Sequence, residues 1–145
     1  MITYIDILRM NEVDACALTW KLLQERPAEA NISHDGKTTP GEHNWFVAHH
    51  PYRIWYAMIN SEGELVGTVL LTKQNEVGVA ILAEHRRKGY AREAIQWLIE
   101  SHAPIPAAPS KRSAHFLANI APNNTASIAL FKGLGFNLVQ CTYAK

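Results

Sequence analysis

The stretch EHRRKGYA, residues 84–91, stands between a predicted strand and a predicted helix. Its small residues Gly89 and Ala91 let the backbone approach a ligand closely, and the first turn of a helix leaves its N–H groups without partners. These donors, the helix dipole and three adjacent cations predict an anion site suited to a diphosphate. The alternative interpretation is a glycine-containing turn that carries solvated charges. The stretch fits neither the Rossmann dinucleotide motif nor the Walker loop.

Three strand-like segments precede this stretch. Residues 53–60 and 64–73 are rich in aromatic and β-branched side chains and are separated by Ser61-Glu62-Gly63, which predicts a hairpin. Residues 76–82 are a third segment of this kind, so the three predict an antiparallel meander. From Lys88 onward apolar residues recur at helical spacing, which predicts an amphipathic helix.

The N-terminal part adds one strand and two helices. Residues 2–8 predict a strand, and Asn11 is placed to cap a helix that runs to about Arg26. Residues 28–41 are polar and predict an exposed loop, and a short helical piece is expected at residues 42–49.

The C-terminal part adds two strands and a helix after a proline-rich stretch. Residues 114–120 predict a strand, residues 125–132 a short helix, and residues 136–143 a final strand. The predicted order is β-α-α-β-β-β-α-β-α-β, in a single domain over residues 1–145. This order indicates an α/β (α+β) fold with a mixed, mainly antiparallel sheet and helices on both faces.

Composition excludes several classes of protein. The 145 residues are 48% hydrophobic and 19% charged, and a net charge of +1 argues against a protein built mainly to bind nucleic acid or anionic lipid. Cys16 and Cys141 form no C-x-x-C pair, and the seven histidines show no metal-ligand spacing. No apolar run reaches the ~18 residues of a membrane span. We expect a cytoplasmic protein with no nucleic-acid or membrane partner and no metal.

Two motifs are similar to those of a known family. Arg86-x-x-Gly89-x-Ala91 resembles the [QR]-x-x-G-x-[GA] signature of the GNAT superfamily of acyl-CoA-dependent N-acetyltransferases. NIAPNNTASIALFKGLGF, residues 119–136, resembles the N-x-x-[AS]-x-x-[LF]-[YF]-x-x-x-G-[FY] element of the same family. The resemblance covers residues 53–136 well, and the N-terminal third only by the order of its elements.

The resemblance implies a V-shaped gap between the strand ending near Leu82 and the strand at residues 114–120, in which the pantetheine arm of acetyl-CoA lies. Main-chain groups of Ile81, Leu82 and Ala83 would bind the arm, and an N–H there would contact the thioester oxygen. The diphosphate would be held by Arg86, Arg87, Lys88, Gly89, Tyr90, Ala91 and Arg92. The arm and thiol would be lined by Asn119, Asn124, Ser127 and Phe131. For Asn124, a helix N-cap is the competing interpretation.

The implied reaction is direct attack of a neutral amine on the thioester. An alkyl ammonium with a pKa near ~10.4 must first lose a proton, and Glu76 is positioned to accept it through water. The alternative for Glu76 is an exposed carboxylate at a strand end. We therefore assign Glu76 and the main chain of Ile81 to catalysis. Phe131 stands where many family members have a tyrosine acid, so reprotonation would fall to water or to a hydroxyl such as Tyr90 or Tyr143.

The acceptor is expected to be a small-molecule primary amine. His43 and Trp45 could lie beside the acceptor cleft, although core packing also explains the aromatic residues there. The pattern at residues 26–31 and 43–46 is similar to enzymes that acetylate amino sugars on nucleotide carriers. Acetylation of a protein amine, a non-catalytic acyl-CoA sensor and a nucleic-acid binder are the alternatives. A second copy of the chain is a further candidate partner.

Overall fold

The fold is built on a sheet of four antiparallel strands. The computed structural model describes residues 1–27 and 38–145. In the sheet the strands lie in chain order: β1 (Thr3–Asp6), β2 (Ile54–Ile59), β3 (Leu65–Leu71) and β4 (Val77–Ile81). All three neighbouring pairs are antiparallel, which confirms the meander. The helices are α1 (Glu12–Gln24), α2 (Pro40–Ala48), α3 (Tyr90–Ser101) and α4 (Thr125–Gly133).

Local capping residues explain where three of these helices begin. The Asn11 side chain accepts from the N–H groups of Val13 and Asp14 at the start of α1, as predicted. Thr39 and Glu42 form a reciprocal capping box at the start of α2, which therefore begins two residues earlier than expected. The Asn124 side chain caps α4. Helix α3 differs, because its N-cap residue has no side chain that could cap it.

Helices cover both faces of the sheet, as predicted. The buried cluster toward α1 and α2 contains Leu18, Leu22, Val47, Trp55 and Ala57. The buried cluster toward α3 and α4 contains Met58, Val69, Ile95, Leu98 and Phe131. Burying each Val, Leu, Ile, Phe or Met side chain contributes roughly 1.5–3 kcal/mol, so the two clusters fix both helix layers on the sheet.

The two strands predicted near the C-terminus are wrong. Residues 114–120 contribute only one parallel bridge, between Glu76 and Leu117, and residues 137–145 are all exposed, with Leu138 at 82%. In residues 114–120, every second side chain packs against the core, namely Phe116, Ala118 and Ile120. Packing of alternate side chains does not require ladder hydrogen bonds. A strand also needs a neighbour, and the described residues provide none for 137–143.

No helix in residues 1–27 and 38–145 has the length and hydropathy needed to cross a bilayer. The predicted loop at residues 28–41 lies mostly outside the described residues, so its conformation up to residue 37 stays a prediction.

Tyr4 on β1 carries a buried hydroxyl with no hydrogen-bond partner in the described part of the chain. Its ring stacks on Trp97 of α3, with centroids 3.7 Å apart and planes 8° from parallel. Burial, and secondarily the Glu93 carboxylate, raises the pKa of Tyr4 to about 12. In the unfolded chain the hydroxyl ionises near pH ~10. The folded state therefore holds an extra proton between these values, and stability falls as the pH rises through this window.

We expect Tyr4→Phe to leave stability at pH 7 within about 1 kcal/mol of the wild type, because no hydrogen bond is lost. Above pH ~10 the variant should lose less stability than the wild type, since it has no hydroxyl to ionise. Urea unfolding at pH 7, 10 and 11 measures both effects. Tyr143→Phe, at a side chain 92% exposed, is the matched control and should change neither. Parallel alkaline curves for wild type and Tyr4→Phe would contradict this prediction.

Candidate functional site

The site begins where β4 and the segment after residue 113 separate. The Val77 N–H donates to the Leu117 carbonyl at 2.7 Å, and the Leu117 N–H donates to the Asn75 carbonyl at 2.8 Å. Beyond this bridge no backbone hydrogen bond joins β4 to residues 118–120. These residues are all within the described part of the chain. The C-terminal half of β4 therefore has an open edge, and we call the space beside it the wedge.

The register of the sheet shows which main-chain groups face the wedge. On β4 the even-numbered residues bond β3, as the Leu82 N–H does to the Val66 carbonyl at 2.9 Å. Because N–H and C=O groups alternate between the two edges of a strand, those of Val79 and Ile81 point into the wedge. Leu82 is turned the other way, so its N–H is not available to a ligand there.

A turn with two left-handed residues closes the wide end of the wedge. Arg87 has φ 61° and Gly89 has φ 83°, and α3 starts directly after Gly89. The first intrahelical bond here runs from the Glu93 N–H to the Gly89 carbonyl at 3.1 Å. The N–H groups of residues 90–92 thus have no helical partner. A Cβ built on Gly89 meets no atom within 4 Å, so a ligand can approach this backbone.

The cations of this turn have different surroundings. Arg87 and Lys88 are exposed beside the start of α3. The Arg86 Nε donates to the Ile81 carbonyl at 3.1 Å. The Arg92 guanidinium is directed toward α4 instead. Its Nη2 donates to the Gly133 carbonyl at the end of α4 at 3.3 Å, where the helix dipole favours a cation.

The end of α1 also contacts this region. The Glu25 Oε2 accepts from the Ala83 N–H at 2.8 Å, and the Glu25 carbonyl accepts from Arg86 Nη2 at 3.2 Å. Lys21 donates to the Glu84 Oε1 at 3.1 Å. This hydrogen bond and the lysine charge hold the pKa of Glu84 below its usual range. Two main-chain groups assigned to the ligand arm, Ile81 C=O and Ala83 N–H, are therefore engaged by other parts of the chain.

Glu76 lies at the narrow end of the wedge and is partly buried. Its Oε1 accepts from the Thr72 hydroxyl at 3.3 Å, and its Oε2 accepts from the Asn119 side-chain amide. A carboxylate has about four acceptor positions, so positions remain for water. Ile81 is five residues farther along β4, roughly 16 Å at strand spacing. Val79, three residues from Glu76, has the closer wedge-facing N–H.

The side chains assigned to the arm from α4 have structural contacts. The Asn124 Oδ1 accepts from the Ser127 N–H at 3.3 Å, which is the N-cap arrangement. Phe131 is 6% exposed and packs edge-on against Phe136, with centroids 5.0 Å apart. Phe131 therefore belongs to the core in this state.

The two residues assigned to the acceptor lie in the α1–α2 layer. His43 is buried, with its Nε2 2.8 Å from the Thr19 hydroxyl. Trp45 is 64% exposed and stacks on His49 at 4.5 Å between centroids. Their role in binding an acceptor stays a prediction. The related pattern at residues 26–31 falls largely outside the described residues.

The sequence matches one family model, described as the acetyltransferase (GNAT) family, over residues 17–136. The chain belongs to the acetyltransferase (GNAT) family. GNAT enzymes are acyl-CoA-dependent N-acyltransferases, so this chain is an enzyme of that class. No curated protein shows a significant sequence match.

Solved GNAT structures have the same fold. A GNAT acetyltransferase from Streptococcus pneumoniae aligns with a TM-score of 0.60 at 14% identity, over 100% of this chain and 96% of that one. Mutant forms of the spermidine/spermine N-acetyltransferase SpeG from Vibrio cholerae align with a TM-score of 0.61 at 17% identity, over 94% and 79%. A dodecameric spermidine N-acetyltransferase structure from Vibrio cholerae aligns at 0.59 and 16% identity, over 94% and 79%. At these identities the likeness shows the fold.

Sequence reasoning did not single out several residues that lie in or against the wedge. Val79 was missed because the sequence of a strand does not show which of its N–H groups face the open edge. The register with β3 decides that. Thr72 and Asn75 stand in a turn whose polar residues are explained by the turn itself. Glu25 stands 58 residues from Ala83, and no local signal points to that contact. Among residues 1–27 and 38–145, no three His, Cys, Asp or Glu side chains group to hold a metal.

Proposed function

We propose that the protein transfers an acetyl group from acetyl-CoA to a primary amine of a small molecule by direct attack. The observation that carries this proposal is the open edge of β4, which leads from Glu76 at its narrow end to the unpaired N–H groups of residues 90–92 at its wide end. A single acetyltransferase domain over residues 1–145 is part of the proposal. The amine substrates named for the Vibrio enzyme support a small acceptor.

The residues present fit the cofactor. A diphosphate at the start of α3 would receive N–H groups from residues 90–92 and charge from Arg87 and Lys88. An extended arm in the wedge would pair with the main chain of Ala83, then of Ile81 and then of Val79. Ile81 and Val79 face the open edge of β4, and Ala83 lies just beyond the end of this strand. When bound, acetyl-CoA supplies an activated acyl group. The Val79 N–H would then face the thioester oxygen, in place of the Ile81 N–H expected from the sequence, because Val79 is nearer to Glu76.

Glu76 would act as the base through water. Thr72 and Asn119 hold its carboxylate in place, and its remaining acceptor positions can take a proton from a water that contacts the amine. Phe131 has no hydroxyl and is buried, so it supplies no acid. The proton for the departing thiolate would come from water or from a hydroxyl such as that of Tyr90 or Tyr143.

We expect Glu76→Gln to lower kcat/KM for the amine about 100-fold, which is the usual scale for a general base. The dissociation constant of coenzyme A should stay within about twofold, since Glu76 is at the far end of the wedge from the diphosphate turn. Release of free thiol in the presence of an amine panel measures the rate. Glu62→Gln, in the turn between β2 and β3, is the matched control and should behave as wild type. Full activity in Glu76→Gln would refute the assignment.

The panel also tests the proposed function as a whole. Polyamines, amino sugars, aminosugar nucleotides and a lysine peptide should give different rates, and the fastest identifies the acceptor class. Thiol release with the peptide alone would instead favour acetylation of a protein amine. A cytoplasmic location, consistent with the two free cysteines, and a homodimer are further parts of the proposal. Sedimentation of the purified protein tests the homodimer.

A further inference from the structure

The wedge is partly blocked by the chain itself. Of the main-chain groups that line its wide end, the Ala83 N–H is bound by the Glu25 carboxylate at 2.8 Å. The Ile81 carbonyl is bound by Arg86 Nε at 3.1 Å. An amide in an extended ligand arm offers one carbonyl acceptor and one N–H donor. The Glu25 carboxylate takes the place of that acceptor, and Arg86 Nε takes the place of that donor.

We propose that Glu25 is an internal competitor for the acyl-CoA arm, which binds only when the Glu25 carboxylate leaves the Ala83 N–H. This inference rests on the proposed function, because it concerns the same wedge. Glu25 is a positioning residue here, since it acts by occupying a binding group rather than by touching the reacting atoms.

The surroundings of Glu25 make this contact more than a chance surface approach. Its side chain is 24% exposed, and its Oε1 lies 3.9 Å from Lys21 Nζ while its Oε2 takes the Ala83 N–H. A hydrogen bond to a charged acceptor is roughly twice as strong as one between neutral groups. The neutral carbonyl of a ligand arm must therefore displace a stronger acceptor.

Arg86 joins the same arrangement. Its Nη2 donates to the Glu25 carbonyl at 3.2 Å while its Nε donates to Ile81, so one guanidinium ties the end of α1 to β4. A diphosphate bound at the start of α3 would attract this guanidinium. Movement of Arg86 toward the phosphates would release the Ile81 carbonyl and one of the two contacts that hold Glu25 against β4. Diphosphate binding and opening of the wedge are thereby coupled.

Three variants separate competition from simple charge effects. Glu25→Met keeps the length of the side chain and removes both its charge and its acceptor oxygens. Glu25→Gln removes the charge but keeps an oxygen that can accept from Ala83. Glu84→Gln removes a neighbouring charge, on a side chain 61% exposed that does not bind Ala83. Calorimetric titration with coenzyme A gives each dissociation constant, and thermal unfolding checks that each variant folds.

The expected result is a dissociation constant about fivefold lower for Glu25→Met than for wild type, the scale of one hydrogen bond of about 1 kcal/mol. Glu25→Gln and Glu84→Gln should change it by about twofold or less. In the free protein, the Ala83 amide hydrogen should exchange with solvent faster in Glu25→Met than in wild type. In the wild type, coenzyme A should move the Glu25 carboxylate carbon resonance.

Other outcomes overturn the inference. Equal gains in affinity for all three variants would assign the effect to charge alone. Unchanged or weaker binding by Glu25→Met would show that Glu25 does not compete with the arm. If neither the wild type nor any variant binds coenzyme A, the proposed function fails and this inference fails with it, whereas binding by wild type with no effect at Glu25 overturns the inference only.

Discussion

Replacing Gly89 by glutamate is expected to raise the dissociation constant of coenzyme A about 100-fold or more, a loss of about 2.7 kcal/mol. Gly89 precedes the three N–H groups that we assign to the diphosphate, and no side chain caps this helix. A glutamate carboxylate at position 89 would lie against the N–H groups of residues 90–92, where the helix dipole favours a negative charge. It would therefore occupy the anion site and repel phosphate.

Folding should be affected much less than binding. A Cβ at Gly89 meets nothing within 4 Å, so the added side chain fits in space. The left-handed φ of 83° costs a residue other than glycine roughly 1–2 kcal/mol. Thermal unfolding should accordingly shift by only about 5 °C.

A matched control isolates the anion site. Gly63, in the turn between β2 and β3, has φ 81° and equally open surroundings. Gly63→Glu carries the same strain and the same charge outside the diphosphate turn, so it should bind coenzyme A within about twofold of wild type. Gly89→Ala carries the strain without the charge and should bind with intermediate affinity. Calorimetric titration of the wild type and the three variants with coenzyme A measures the four dissociation constants. An unchanged dissociation constant for Gly89→Glu would show that the cofactor binds elsewhere.

The position of this turn and of the helix after it could be predicted from sequence because their causes are local. A glycine before a helical pattern is free to take a positive φ, and the helix begins where the apolar period begins. Asn11 likewise caps α1 through N–H groups two and three residues away. The hairpin around Gly63 follows from residues adjacent in the chain. Each of these features depends on a window of a few residues.

Other features could not be predicted, because they join distant residues. Glu25 reaches Ala83 across 58 positions, and Asn75 reaches Ser113 across 38. Residues 114–120 predict a strand, but their side chains pack on the core while the backbone forms only the bridge between Glu76 and Leu117. The main chain of Val79 faces the wedge and that of Leu82 faces away because of the register between β4 and β3. The sequence of β4 alone does not determine this register.

Asn75→Ala is expected to destabilise the protein by about 3–4 kcal/mol. Asn75 is fully buried, and its side chain makes three hydrogen bonds to the proline-rich segment after α3. Its Nδ2 donates to the Ile105 and Ser113 carbonyls at 2.9 and 2.8 Å, and its Oδ1 accepts from the Ile105 N–H at 2.7 Å. Each bond contributes about 1 kcal/mol. The φ of 64°, which asparagine tolerates better than alanine, adds roughly 1 kcal/mol.

The measurement is the thermal unfolding midpoint, which should fall by about 10 °C for a chain of this size. Asn75→Gly loses the same three bonds without the backbone strain, so it should be the more stable of the two variants. Asn123→Ala, at an exposed position in the turn before α4, is the control and should leave the midpoint unchanged. A midpoint within 2 °C, or about 0.5–1 kcal/mol, of wild type for Asn75→Ala would contradict the prediction.

Asn75 also links stability to the wedge. Its carbonyl accepts from the Leu117 N–H, in the bridge that closes the narrow end of the wedge. When the side-chain bonds are lost, the segment from Ile105 to Leu117 is held by fewer contacts, and Asn119 is then less firmly placed against Glu76. Faster amide exchange at Ile105 and Leu117 should therefore accompany a fall in acetyl transfer at temperatures where Asn75→Ala is still folded. Loss of stability with full activity per folded molecule would show that the bridge does not position Glu76.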